Sequence, residues 1–363
     1  MLRLEARPEP SRAMVILTPI IAVVATMIAG GILFAILGNN PFTAIRIIFW
    51  DPLFNDMVAS YTRPQLLVKA APLILMAIGL SFGFRANVWN IGAEGQFIMG
   101  AVIGGGTALA LYPLESPLVF PLIIIMGGLG GFLWAMIPAI LKIRFNANEI
   151  LVSLMLVYVA AQFLAAMVTG PMKSPVGMGF PVSRNFNEYQ SAFNAELLSN
   201  TGLHFGVLVM MAVVVLGYIF LTRHIFGFQI RVSGQSARAS KFAGVNPHTT
   251  VALCLGISGA LAGLAGLFEV TGPAGKLSTN FPLGYGFTAI IVAFLGRLHP
   301  VGILLAGLLM ALTYIGGELA QFQMSIPAAA IQVFQGMLLF FLLGVDILVN
   351  FRLRWDTKSK EAH

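Results

Sequence analysis

Long apolar runs separated by short polar connections dominate the chain. They lie at 14–37, 66–82, 96–112, 117–141, 150–169, 203–221, 250–269, 283–296, 300–319 and 327–348. A helix needs about 20 apolar residues to cross a bilayer, so the pattern predicts an all-α polytopic membrane protein with about ten transmembrane helices. The first run follows Arg3, Arg7 and Arg12, as the core of a signal peptide would. At 24 residues it exceeds such cores, which reach about 15, and it reads as the first membrane helix. The run at 283–296 is short and opens on Gly284 and Gly286, the mark of a tilted or partial crossing.

Basic residues orient these helices. With the N-terminus inside, cytoplasmic segments collect 15 of the 21 Lys and Arg residues, and the outer side keeps Arg46, Arg63, Lys69, Lys173, Arg184 and Lys276. Cytoplasmic loops hold such an excess, so both ends are predicted inside. The chain then divides into a cytoplasmic segment at 1–13, one transmembrane domain at 14–349 and a cytoplasmic tail at 350–363. Connections 38–65 and 170–202 lie outside; 222–250 lies inside.

Composition agrees. Hydrophobic residues make up 58%, charged residues 10%, and mean hydropathy is +0.88; so few charges cannot cover a soluble surface. The net charge of +7 is scattered over short loops, which fits topology and contact with anionic membrane lipids and excludes a nucleic-acid footprint. A lone cysteine, Cys254, and five dispersed histidines argue against a disulfide, a metal site or a bound cofactor. A nucleotide-binding loop is missing too: ahead of Gly275-Lys276, Val270 stands where its first glycine belongs and Leu277 where Ser or Thr belongs. Gly79-Leu-Ser81-Phe-Gly83 matches a nucleophile elbow only formally, since it lies in an apolar helix. No catalytic residue is expected, and the chain is not read as an enzyme.

Chemistry concentrates in GFRANVWNIGAEGQFIMG, Gly83 to Gly100. Ionisable and amide groups between two membrane runs mark a functional site by default, and broken helices persist there only where protein or water satisfies the backbone. The segment reads either as part of a transport pathway or as a polar loop at the cytoplasmic rim. As a pathway it offers Asn87, Asn90, Glu94 and Gln96, whose amides can both donate to and accept from a neutral, hydroxyl-rich or base-bearing solute. Glu94 alternatively pairs with Arg85 to hold the break in shape. Phe281, Tyr285 and Phe287 provide stacking surface near an outer gate, or simple packing. GFRAN at 83–87 resembles GFTAI at 286–290, which suggests a two-fold internal repeat with interrupted helices. Gly100 with Gly104, Gly127 with Gly131 and Gly259 with Gly263 have the spacing of close helix crossings.

The inner connection reads TRHIFGFQIRVSGQSARASKFAGVNPHTT. Ser236 to Ala243 can form a short helix, closed by Gly244 and stopped by Pro247. It suits docking to a cytoplasmic partner, and equally a solvated linker.

Arg231, Gly234, Arg238, Ala239, Lys241 and Gly244 in this stretch resemble the cytoplasmic coupling segment of permeases in the branched-chain amino acid and simple sugar superfamily of ABC importers. Ser236, Ala237 and Ser240 depart from that family's usual form. NIGAEGQ at 90–96 and GYGFTAIIVAFLGRLHPVGILLAG at 284–307 are similar to the subset that imports nucleosides with basic-membrane-protein-type binding lipoproteins. The resemblance implies a nucleoside importer of the bacterial cytoplasmic membrane. It also implies a second permease, identical or paralogous, ABC ATPase subunits that use the ATP, and an external binding protein or lipoprotein. Simple sugars or branched-chain amino acids are the alternative cargo. An ion-coupled secondary transporter is a further alternative, disfavoured because its candidate acids, Glu269, Glu318 and Asp346, fall near predicted helix ends.

Overall fold

A computed structural model describes residues 2–7, 11–198, 201–281 and 284–355. In chain order the elements are β1 (Leu2–Ala6), α1 (Arg12–Ile36), α2 (Pro41–Phe49), α3 (Asp51–Phe54), α4 (Asp56–Arg85), α5 (Ala93–Ala110), α6 (Val119–Phe145) and α7 (Glu149–Thr169). There follow α8 (Phe205–Thr222), α9 (Ile225–Gln235), α10 (Ala237–Phe242), α11 (Pro247–Thr271), α12 (Tyr285–Leu295), α13 (Pro300–Met324), α14 (Ala328–Asn350) and β2 (Phe351–Trp355). Each of the ten apolar runs coincides with a helix. Among the described residues, eight helices are long and apolar enough to cross a membrane. The two that fall short are α5, which opens on Ala-Glu-Gly-Gln, and α12, which has 11 residues.

The chain forms two compact units, one built from the residues up to Thr62 and from Leu312 onward, the other from Arg63–Ala311. In the first, α1 lies against α14, and the Phe34 and Phe334 rings stack with centroids 5.8 Å apart. Asn40 caps α2 by accepting the Phe42 N–H at 3.0 Å, with Pro41 in the first turn where its missing N–H costs nothing. The terminal segments do not stay apart: β1 and β2 pair antiparallel, with Leu4 opposite Leu353, and Arg352 bridges Glu5 at 2.9 Å. The alternation Leu2, Leu4, Ala6 and Phe351, Leu353, Trp355 carries that period of two. Much of the connection 38–65 is helical as well, because α2 and α3 occupy it and α4 starts at Asp56, ten residues before the apolar run at 66.

In the second unit, α5, α6 and α11 form the core. All three glycine pairs meet in this crossing. A Cβ on Gly100 would lie 2.2 Å from the Gly263 Cα, and one on Gly131 would lie 2.1 Å from the Gly259 carbonyl. Only hydrogen at these positions lets the backbones approach so closely, which is how helices associate where lipid offers no hydrophobic drive. The proposed register of an internal repeat does not hold: Gly83 to Arg85 closes α4, whereas Gly286 to Ile290 opens α12. The two similar sequences occupy opposite helix ends.

Candidate functional site

The site is built around the short helix α12. Arg85 at the end of α4 donates through Nε to the Leu298 carbonyl at 3.0 Å, which brings the C-terminal ends of α4 and α12 to one level. Eleven residues at about 1.5 Å each span roughly half of a bilayer core of about 30 Å. Alone, α12 is thus about half a crossing long, and its N-terminal residues Tyr285 and Gly286 are buried inside the protein. A helix N-terminus there exposes N–H groups that water cannot reach. Gly284, the residue before the helix, is left-handed at φ +75° and caps nothing with a side chain. Glu94 supplies the cap from α5: its carboxylate accepts the Gly284 N–H at 2.9 Å and also the Gly286 N–H. An anion at a helix N-terminus is favoured by the helix dipole as well. The anticipated Glu94–Arg85 pair does not form, because Arg85 is taken up by the turn after α12. Glu94 still holds a broken segment, by another partner.

The connection between α4 and α5 is equally tied down. Asn90 and Gln96 are buried and exchange two hydrogen bonds, Asn90 Nδ2 to Gln96 Oε1 at 2.8 Å and Gln96 Nε2 to Asn90 Oδ1 at 3.1 Å. Asn90 also donates to Ser258 Oγ at 2.9 Å and accepts the Gly92 N–H at 3.0 Å. Helix α7 holds the same stretch from the other side: Ser153 Oγ accepts the Ile91 N–H at 3.2 Å, and Glu149, paired with Lys142, accepts the Trp89 N–H at 3.4 Å. Asn87 stands apart. It is exposed, adopts φ +56°, and accepts the Trp89 indole N–H at 3.1 Å.

Above the clasp, Phe97 stacks on Phe281 with centroids 5.2 Å apart and meets Tyr285 edge-on at 6.1 Å. Lys69 donates to the Tyr285 hydroxyl at 3.3 Å, and its charge also acts on Glu269. Glu269 falls two residues before the end of α11, as expected, and is buried there at 5% exposure. Buried charges persist when paired, and Lys69 is on hand to compensate it. Phe287 faces outward at 42% exposure and is not part of this aromatic cluster. The structure thus brings Asn90 and Gln96 together, joins Glu94 to the start of α12, and groups Phe281 with Tyr285. Lys69, Ser153, Glu149 and Ser258 escaped the sequence reading. They are scattered polar residues of largely apolar helices, and no motif marks them.

The connection 222–250 contains two helices. Residues Arg231 and Gly234 lie on α9, which the sequence reading left unassigned; a Cβ on Gly234 would lie 2.1 Å from the Arg85 carbonyl oxygen, so α9 rests on the end of α4. Arg238, Ala239 and Lys241 lie on α10. Its C-terminus forms the expected cap: Gly244 at φ +72°, its N–H bonded to the Lys241 carbonyl at 3.1 Å, and the Val245 N–H to the Ser240 carbonyl at 2.9 Å. Asn246 then caps α11 through the His248 N–H, with Pro247 in its first turn. Pro247 therefore opens the next helix as well as stopping the last. Ser240 and Val245 are buried, while Arg238 and Lys241 are exposed and Phe242 stands 94% exposed.

A family model described as the permease component of the branched-chain amino acid transport system matches residues 63–343. The chain belongs to this permease family. It is thus an integral membrane protein and the membrane-spanning component of a transport system, in a family whose permeases work with ATPase and solute-binding partners. The permease is 32% identical to a glucose ABC transporter permease of Haloferax volcanii, over 95% of this chain and 92% of that one. A nucleoside ABC transporter permease of Lactococcus lactis is 28% identical over 93% of each chain. A guanosine ABC transporter permease of Bacillus subtilis is 27% identical over 90% of this chain and 92% of its own. No solved structure matches the chain.

Proposed function

We propose that the permease forms the translocation pathway of an ATP-driven nucleoside importer. The observation that carries this reading is the junction of α5 with α12, where a glycine-rich break adjoins Phe97, Phe281 and Tyr285. Flat aromatic faces suit a base, and the Lys69 and Tyr285 polar groups beside them suit ribose hydroxyls. Glu94, Asn90 and Gln96 are spent on each other and on the backbone, so they hold the break open to the pathway and the solute passes beside them. The guanosine and nucleoside relatives support this cargo. A simple sugar is the second reading, favoured by the 32% identical glucose permease relative.

ATP is used on separate ATPase subunits, which dock on α10 through Phe242, Arg238 and Lys241. An exposed aromatic flanked by cations on a helix with a fixed cap is suited to a groove in such a partner. A second permease and an external binding protein complete the assembly. The test is uptake of labelled uridine and adenosine in cells lacking other nucleoside transporters and expressing the permease with its neighbouring ATPase, permease and binding protein. Competition by unlabelled nucleosides, with little from ribose, glucose or leucine, is expected. Competition by glucose alone transfers the assignment to sugars.

A further inference from the structure

A groove of about 870 Å³ lies at the outer end of the Arg63–Ala311 unit, between the start of α6, the segment around 190–197 and the start of α8. Its better-buried part is apolar, formed by Phe120, Ile124 and Phe193, with the exposed Ile125 and Phe205 beside them. Its polar part is formed by Glu115, Ser116, Gln190, Ser191 and Glu196. Ile125 lies ten residues beyond Glu115 and six into α6, about 9 Å along the helix axis. The groove therefore runs from a polar mouth to an apolar floor, the profile of an amphiphile with its head outward.

Its surroundings identify the amphiphile. Leu122, Ile125 and Leu129 on α6 and Leu208, Met211 and Val215 on α8 are exposed, so both flanking helices present apolar faces to the bilayer and the groove opens between them. An occupant arrives from lipid. Both charged groups lining the groove are acids, which repel an anionic headgroup and attract a cationic one. Carboxylates accept hydrogen bonds, and a primary ammonium donates three where a quaternary one donates none. Ser191 and Gln190 offer donors to a neighbouring phosphate.

We propose that this groove is a binding site for a membrane phospholipid with a primary-ammonium headgroup, its ammonium between Glu115 and Glu196 and an acyl chain against Phe120, Ile124 and Phe205. The site is separate from the solute pathway and holds whichever solute is carried.

Native mass spectrometry of the purified permease, titrated with palmitoyl-oleoyl phosphatidylethanolamine, phosphatidylglycerol or phosphatidylcholine, tests it. Phosphatidylethanolamine is expected to bind about tenfold more tightly than the other two, the scale of a charge-assisted hydrogen bond or more. Glu115→Gln with Glu196→Gln, isosteric changes at exposed positions that leave the fold intact, removes that preference. Ile124→Trp, which fills the floor, weakens binding of phosphatidylethanolamine while the helical circular dichroism is unchanged. Equal binding of the three lipids, preference for phosphatidylglycerol, or a phosphatidylethanolamine preference that survives the double substitution overturns the proposal.

Discussion

Gly286 approaches Glu94 so closely that a Cβ on it would lie 2.2 Å from the Glu94 backbone nitrogen, and in return the Glu94 carboxylate accepts the Gly286 N–H. The start of α12 is thereby locked to the start of α5. Replacing Gly286 by alanine forces the two backbones apart at a cost of about 1–3 kcal/mol. A lower thermal unfolding midpoint and loss of uptake are expected for Gly286→Ala; wild-type values for both would contradict the clasp.

Glu94→Ala removes the acceptor of the buried Gly286 N–H and the half-buried Gly284 N–H, and an unsatisfied buried group costs about 1–3 kcal/mol. Glu94→Gln keeps one carbonyl oxygen and turns an amide toward the other N–H, so an intermediate loss is expected. Ranking the two variants by thermal unfolding in lipid nanodiscs checks the order. If Glu94→Gln is as unstable as Glu94→Ala, the retained acceptor is without value.

Asn90 and Gln96 exchange two hydrogen bonds in the interior, so truncating Asn90 strips Gln96 of both, and truncating Gln96 leaves Asn90 only its bonds to Ser258 and Gly92. A double-mutant cycle with Asn90→Ala and Gln96→Leu is expected to give a coupling of about 1 kcal/mol or more in unfolding free energy. Additive effects would show that the amides act independently, as direct contacts to a passing solute would.

The crossing of α5, α6 and α11 depends on missing side chains. Gly263→Ala meets backbone atoms of Gly127 and Gly131 at 2.3 to 2.9 Å, whereas Gly128→Ala makes only ordinary contact at 3.5 Å with Leu264. The first is expected to lower yield and unfolding temperature by overpacking. The second is expected to stay near wild type or gain slightly from the better helix propensity of alanine. Equal behaviour of the two would refute the packing.

Between α10 and α11, Gly244 has open space around it but a left-handed backbone. Gly244→Leu therefore costs backbone strain of about 1–2 kcal/mol and no steric clash. Membrane insertion is expected to persist while α10 loses its cap and ATPase capture falls. Phe242→Ala, which leaves the cap alone, is expected to weaken capture of the ATPase subunits in a detergent pull-down about tenfold, on the scale of a hot-spot side chain. Undiminished capture by both variants would remove α10 from the interface.

Membrane helices were legible because hydrocarbon forces both composition and length: all ten runs became helices, and the three glycine pairs marked their crossing. The cap at Gly244 was legible because a glycine after the small-residue stretch 236–243 and ahead of Pro247 has the pattern of a helix stop. Partner choice was harder to read. Glu94 finds its N–H groups at Gly284 and Gly286 through tertiary placement, and nothing near Glu94 in sequence distinguishes those partners from Arg85. Helix α9 escaped because its apolar positions are interrupted by Gly227, Gln229 and Arg231, and its stability comes from resting on α4. The strand pair β1–β2 escaped because its two halves lie at opposite ends of the chain.

The measurement that tests the central claim most directly is accumulation of labelled uridine in proteoliposomes. These carry the permease with its partner permease and ATPase subunits, with the binding protein on the outer side and ATP or a non-hydrolysable analogue inside. ATP-dependent accumulation of uridine above the external concentration, abolished by the analogue and insensitive to excess glucose, is the expected result. Uridine that only equilibrates, or accumulates with an imposed ion gradient in place of ATP, would contradict the account.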